Sequence, residues 1–382
     1  MPEVRLSVAI MTHPRRLAMA EALAEKLGCR PAIAVDPVPD GPPSAMRSAI
    51  VAWGLAPAWA THHLVLQDDA QPMPGFLPAV EEAAAAHPEI PLALYEHWNS
   101  WNGAMARLAL RCGRAGSELI PTQYVPTVAL MMPRPLAADF VEFAVRLPAE
   151  FPDDESIAIF VRRRGLRGCL AVPNLVEHAG VESLMGNDRR DEERRSACFR
   201  DERPAAARPS GILRLAEVPI LPFLRWGEPS AVVEVVPGRW STISIPETLW
   251  GLGLDDEGPL WEGYARAVAA LPAAAAGLAG AAGGRLLSSL WLTGYLEGAV
   301  LADLGVDPAS DEAPRWSTRS LVLGGLRGRG LRQQLHRHLD ALVRFSDLAI
   351  GAGARAPRGQ RARTGAPAWE VAARRLPRRV AG

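Results

Sequence analysis

Lysine is almost missing from this chain of 382 residues: Lys26 stands alone, and arginine supplies the rest of the 42 basic side chains. Together with abundant Ala, Gly and Pro, this bias points to a GC-rich genome and says little about function. Cysteine is also scarce. Cys29, Cys112, Cys169 and Cys198 are scattered without metal-ligand spacing, which argues against a zinc cluster or disulfide framework and fits reduced thiols. The stretch Met1 to Ile10 lacks the basic segment, long apolar core and small-residue cleavage site of a secretory signal, so a cytoplasmic location is expected. Long apolar runs are wanting too. The uncharged stretch Ala267 to Gly284 is mostly Ala and Gly and contains Pro272, so it reads as a packed helical segment and not as a membrane span. No internal repeat, nucleophile elbow or phosphate loop is evident.

What is present is ordinary for a globular protein: 48% hydrophobic and 22% charged residues, in a length that suits two domains. Net charge is zero but unevenly spread. Residues 319–382 hold 14 arginines against Asp340, Asp347 and Glu370, which leaves the preceding chain acidic. That asymmetry marks the C-terminal stretch as a separate piece, a surface for an anionic partner. Arginines without a recognisable nucleic-acid fold argue against nucleic acid as that partner.

The first 186 residues alternate strand-like and helix-like patterns, as a βαβ fold requires. Strands are expected over Val4 to Met11, Pro31 to Val35, the run ending at Leu66, Pro91 to Tyr95, Val125 to Met132 and Gly168 to Val172. Helices are expected over Pro14 to Leu27, Ser44 to Trp59, Pro74 to Ala86, Pro135 to Arg146 and Asp154 to Arg164. The alternation then breaks. We expect a domain over 1–188, a linker over 189–209, a mainly helical domain of unknown role over 210–350, and an Arg-rich flexible tail over 351–382. Short β-like pieces (Ala231 to Val236, Ser241 to Ile245) precede the helices, and Leu286 to Leu304 and Leu331 to Ile350 carry helical apolar spacing. His336 and His338 face different sides of such a helix and form no metal pair.

The most informative segment is Thr61-His62-His63-Leu64-Val65-Leu66-Gln67-Asp68-Asp69-Ala70. A short buried strand ends there in two adjacent carboxylates. In an open α/β sheet ligands bind at the carboxyl ends of strands. A carboxylate pair there suits a hard divalent cation that also touches substrate phosphates. The plainer alternative is one helix cap and one solvated acid.

Four pieces occur in a distinctive order: Val8 to Arg16, Leu64 to Ala70, Phe151-Pro152-Asp153-Asp154-Glu155, and Val172-Pro173-Asn174-Leu175-Val176-Glu177-His178. Over roughly residues 4–187 this order resembles the GT-A class of nucleotide-sugar glycosyltransferases. It is most similar to the lipooligosaccharide and procollagen galactosyltransferase type, or to a relative in the large inverting family. The resemblance implies an α/β fold, a Rossmann-like, mostly parallel GT-A sheet. It also implies transfer of a sugar, with inversion, from a nucleotide-sugar donor (a UDP-sugar favoured) to a hydroxyl acceptor whose identity stays open. Mn²⁺ or Mg²⁺ would be the cofactor. By the same resemblance Asp69 and His178 are the candidate metal ligands, His178 as a neutral imidazole. Asp68 would meet the ribose or a metal-bound water, the family's frequent Asp-x-Asp being replaced here by Asp68-Asp69-Ala70. Thr12, His13 and Asp36 would lie on the donor's base or ribose, and Arg47 on its diphosphate, where an arginine fork suits phosphate oxygens. Asp154, or else Asp153, would deprotonate the acceptor hydroxyl; the plainer alternative is that both simply favour the first turn of a helix. Trp98, Asn99 and Trp101 would form a sugar or acceptor platform, or else a loop tucked onto the core.

Two other functions remain open at this point. A nucleotidyltransferase shares the sheet but normally carries a Gly-rich basic loop after its first strand, where Met11 to Arg16 has arginines and no glycine. A degenerate transferase domain acting as a binding or scaffold module is the alternative outside the enzymes.

Overall fold

In the computed structural model the described residues are 3–42, 44–186, 193–199, 210–254, 257–281, 285–308, 313–326 and 329–356. The chain separates into two units: 1–98 with 114–212, and 99–113 with 213–382.

The first unit begins β1 (Leu6–Thr12), a 3-10 turn at Pro14–Arg16, α1 (Leu17–Leu27), β2 (Ala32–Val35), α2 (Ala45–Gly54), β3 (His62–Gln67), β4 (Ala70–Pro72), α3 (Phe76–Ala86) and β5 (Leu92–Ala93). The chain then gives α4 (Trp101–Arg111) to the second unit. It returns as β6 (Gly116–Glu118), β7 (Ala129–Pro133), α5 (Arg134–Ala144), α6 (Asp153–Arg163), β8 (Cys169–Ala171), β9 (Val176–His178) and β10 (Ile212–Leu213). The sheet has eight strands in the order β10-β6-β8-β5-β7-β3-β1-β2. β1 is parallel to β2 and β3, and β5 to β8, while β7 runs antiparallel between β3 and β5. This is a mixed α/β sheet, mostly parallel, as expected. β4 and β9 form a separate antiparallel pair.

Both faces of the sheet are covered, which is why β1 and β3 read as nearly unbroken apolar runs. Ile10, Leu64 and Leu66 pack with Ala20 and Leu23 of α1 and Phe76 and Val80 of α3. On the other face Trp53 of α2 meets His63 and Phe140 edge-on. His63 is fully satisfied there: Nδ1 accepts from the Ser7 hydroxyl at 2.7 Å and Nε2 donates to the Ala52 carbonyl at 2.9 Å. Burial holds its pKa below the ordinary value, so it is a neutral core histidine. α1 stops where Gly28 takes a left-handed φ of 65°, a conformation that glycine adopts without a Cβ penalty.

The expected linker differs from what is seen. Residues 193–199 belong to the first unit: Ala197 and Cys198 are buried, Trp98 N–H donates to the Arg195 carbonyl at 2.9 Å, and Ala197 N–H to the Glu96 carbonyl at 2.7 Å. Residues 187–192 and 200–209 lie outside the described residues. The charged composition that suggested a linker hides backbone donors that pair with the 94–98 segment.

The second unit combines α4 with β11 (Ile220–Arg225), β12 (Glu228–Val236), β13 (Arg239–Ser244), α7 (Ile245–Leu252), α8 (Glu257–Ala269), α9 (Ala273–Ala281), α10 (Leu286–Asp303), α11 (Ala313–Gly324), α12 (Arg329–His336) and α13 (Leu339–Ala354). The three strands form an antiparallel meander, of which β11 escaped notice because Pro222 interrupts it. The helix expected over Leu331 to Ile350 is two, α12 and α13. α10 and α13 cross at close range: a Cβ on Gly298 would stand 1.9 Å from the Ile350 carbonyl oxygen, and one on Gly353 1.8 Å from that of Tyr295. Arg111 explains why α4 sides with this unit. Its Nε pairs with Glu297 at 2.5 Å, and its Nη2 donates to Thr318 at 2.6 Å, all deeply buried. Residues 351–356 continue or follow α13, and the remainder of the expected tail lies outside the described residues. Among the described residues no helix is long and apolar enough to cross a membrane.

Candidate functional site

β1 has β2 on one side and β3 on the other, so the chain changes direction across the sheet at β1. The carboxyl ends of such strands frame a crevice, the usual ligand position in open α/β sheets. Thr12, Asp36 and Asp68 stand at the ends of these strands. Thr12 Oγ1 donates to Asp68 Oδ2 at 2.6 Å, and Asp36 N–H donates to the Thr12 carbonyl at 2.9 Å.

The carboxylate doublet is buried, Asp68 at 8% and Asp69 at 5% exposure. Burying two adjacent anions is costly unless opposite charge and hydrogen bonds accompany them. Arg16 supplies the charge. Its Nη1 lies 3.2 Å from Asp68 Oδ1 and 3.2 Å from Asp69 Oδ2, and its Nη2 donates to the Glu182 carbonyl. Burial and the Asp69 charge still hold the Asp68 carboxyl above its ordinary pKa, against the pull of Thr12 and Arg16. Asp69 Oδ1 is buried with no hydrogen-bond partner.

His178 arrives from far along the sequence because β9 pairs with β4, setting His178 opposite Ala70. Its Nε2 is 3.4 Å from Asp69 Oδ2, and Ala179 N–H donates to the Asp69 carbonyl at 2.9 Å. The expected neighbours Asp69 and His178 therefore do meet. The ring's orientation differs from that of a ready metal ligand, however. Nδ1 accepts the Gly180 N–H at 2.9 Å, so in a neutral ring the proton sits on Nε2 and points at Asp69.

Asp153 and Asp154 open α6. A polar chain ties them to the doublet: Gln67, the residue before Asp68, donates from Nε2 to Thr127 Oγ1 at 3.1 Å, and the Thr127 hydroxyl draws the Asp153 pKa down against the effect of burial. Burial raises the pKa of both acids. For Asp154 burial and the neighbouring Asp153 charge carry it to about 7. Asp153 is the more buried, with Oδ2 unpartnered, whereas Asp154 is half-buried and its Oδ1 accepts the Glu155 N–H.

Other expected residues are placed differently. Arg47 is closed on Asp36, Nε to Oδ1 and Nη2 to Oδ2 both at 2.9 Å, and Nη2 also donates to the Pro42 carbonyl at 2.8 Å. Burial would raise the Asp36 pKa, but this fork and the Val38 N–H outweigh it and draw the carboxyl down. A fork so occupied braces the β2–α2 loop and is not the open diphosphate contact expected of it. His13 likewise holds local backbone, its Nδ1 accepting from Arg15 N–H and its Nε2 facing the Pro39 carbonyl at 3.2 Å. The residues expected to form an aromatic platform fall in different units. Trp98 and Asn99 are buried, and Asn99 and half-buried Trp101 belong to the second unit. A recess of about 540 Å³ lined by Met73, Phe76 and Phe199 shares no side chain with the cluster.

Sequence reasoning missed Arg16. Its signal was faint: Arg15 and Arg16 sit in a turn directly after β1, and only the fold turns Arg16 to the doublet. It also missed Gln67 and Thr127, whose role appears only when β3 and the segment before β7 lie side by side. No protein-family model and no curated protein matches the chain.

Proposed function

We propose that the first unit is a GT-A-type glycosyltransferase domain that moves a sugar from a nucleotide-sugar donor to a hydroxyl acceptor, assisted by a divalent cation. The observation that carries this reading is the buried Thr12–Asp68–Asp69 cluster at the switch point of the sheet, linked through Gln67 and Thr127 to a second acidic pair. An acid held near neutrality beside a crevice is what general-base chemistry requires.

The donor set fits a cation of the Mn²⁺ or Mg²⁺ kind. Among the described residues no group of three or more His, Cys, Asp or Glu side chains is arranged to hold a metal. Such cations, however, are commonly bound by one or two carboxylates and completed by water and substrate phosphate. Asp69 Oδ1, buried and without a partner, is the acceptor such an ion would satisfy. When bound, the ion would supply Lewis-acid stabilisation of the departing diphosphate. Asp69 would hold it and Asp68, fixed by Thr12, would orient the donor. Asp154 would accept the acceptor's proton, with Asp153 raising its basicity. A half-buried Asp154 is better placed for that than the enclosed Asp153. With one base and no covalent sugar–enzyme bond, the product inverts the anomeric centre.

A degenerate binding module draws on a different observation, that the acids of the crevice are already ion-paired with Arg16 and Arg47. One experiment separates the two. Nucleotide-sugars are screened by thermal shift and for hydrolysis, with and without Mn²⁺. Metal-dependent stabilisation with slow release of free sugar supports the enzyme; stabilisation without any turnover supports the module; neither effect removes the proposal.

A further inference from the structure

A divalent cation held by Asp69 and the Arg16 guanidinium would compete for the charge of the same carboxylates. Arg16 Nη1 sits equidistant, at 3.2 Å, from Asp68 Oδ1 and Asp69 Oδ2. Its side chain is only 13% exposed, so this is an enclosed ion triad and not a surface pairing. The Arg16 guanidinium thus bridges the two carboxylates that would hold a cation and orient the donor. The residual charge is informative as well. Two carboxylates and one guanidinium leave the cluster one negative charge in excess, and Asp69 Oδ1 carries the unpartnered lone pairs. With Arg16 in place the cluster therefore repels a diphosphate. A dipositive ion held by Asp69 would reverse the sign of the local charge and weaken the hold of the doublet on the guanidinium.

We infer that Arg16 is a resident counter-ion that a divalent cation must displace from Asp68 and Asp69, and that the displaced guanidinium then contacts the anionic diphosphate of the donor. The inference rests on the transferase reading and adds to it a residue and an order of events, in which metal precedes nucleotide. Geometry favours the hand-over. The Arg16 backbone is held by the 3-10 turn, its N–H donating to the His13 carbonyl at 2.8 Å. The side chain released from the doublet thus stays tethered at the crevice rim beside β1. Arginine's planar fork is well suited to phosphate oxygens once free.

The test compares wild type, Arg16→Gln and Arg16→Lys by calorimetric Mn²⁺ titration of the full chain without nucleotide, followed by UDP titration at saturating Mn²⁺. Removing a competing cation should tighten Mn²⁺ binding in Arg16→Gln about tenfold, within the roughly 5–150-fold range typical of coupled ligands. Arg16→Lys, which keeps the charge but loses the fork, should fall between the two and guards against misfolding of the neutral variant. UDP binding to Arg16→Gln should weaken about tenfold. Mn²⁺ affinity equal to or below wild type in Arg16→Gln overturns the displacement, and unchanged UDP affinity overturns the hand-over. The Mn²⁺ arm contains no nucleotide, so it reports on Arg16 even if no nucleotide-sugar is ever turned over.

Discussion

The Thr12 hydroxyl donates to Asp68 Oδ2 at 2.6 Å, joining residues 56 apart in sequence at the ends of two neighbouring parallel strands. This bond sets the rotamer of the first acid of the doublet and leaves its other oxygen to Arg16. Thr12→Val keeps the shape and removes the donor. We expect it to cost about 1–3 kcal/mol in urea unfolding, the usual penalty for a buried acceptor left unsatisfied. Thr12→Ser should recover most of that loss. Equal stability of Thr12→Val and wild type would mean that Asp68 does not depend on this hydroxyl.

On the proposed mechanism Asp154 should govern the pH profile. A base with a pKa of about 7 is active as the carboxylate, so kcat/KM should rise with pH to about 7 and then level off. Asp154→Asn should lower the rate by about 10²–10⁴-fold with little effect on nucleotide binding. Full activity in both Asp154→Asn and Asp153→Asn, or a product that retains the donor's anomeric configuration, would eliminate this mechanism.

The same group predicts a stability trend of definite sign. Its folded pKa lies above the ordinary carboxyl value of 3.8, so the folded state holds a proton that the unfolded chain releases. That contribution is complete below 3.8 and is lost as pH climbs to about 7. Unfolding free energy measured across this interval should therefore fall less steeply in Asp154→Asn than in wild type. Identical slopes would show that Asp154 is not protonated in the fold.

Arg47 separates a bracing role from a phosphate-binding one. Arg47→Ala leaves Asp36 buried at 3% exposure without its ion partner, so a loss of about 3–5 kcal/mol is expected in denaturant unfolding. The Asp36 carboxyl is held below its ordinary value, so its contribution is present at neutral pH and vanishes on acidification through that lowered pKa. Unchanged stability together with lost UDP affinity would reinstate Arg47 as a diphosphate contact.

Gly298 tests the crossing of α10 and α13. A side chain there meets the Ile350 carbonyl oxygen at 1.9 Å, a backbone atom that cannot swing aside. Gly298→Ala should cost about 3 kcal/mol or more by overpacking, seen as an earlier unfolding transition. Gly277 of α9, whose Cβ meets nothing, should tolerate alanine. Equal effects at both positions would contradict the close approach.

Much of the first unit was determined by local sequence. The Leu64–Leu66 run ending in Asp68-Asp69, the Pro14 start and Gly28 stop, and Pro152 ahead of two acids each encode an element through short-range physics: apolar burial, fixed φ, a left-handed cap, charge at a helix start. The acidic pairs were legible for the same reason, since they stand where those elements end. The composition of 189–209 misled, because a polar segment can be held by its backbone bonds, as 193–199 is. Only tertiary structure decided which partners the site residues take. Arg47 reaches Asp36 across the β2–α2 loop, His178 reaches Asp69 through the β4–β9 pair, and Arg16, not Arg15, turns to the doublet. These choices depend on strand register and on charge compensation among groups distant in sequence. Spacing along the chain carries no record of them.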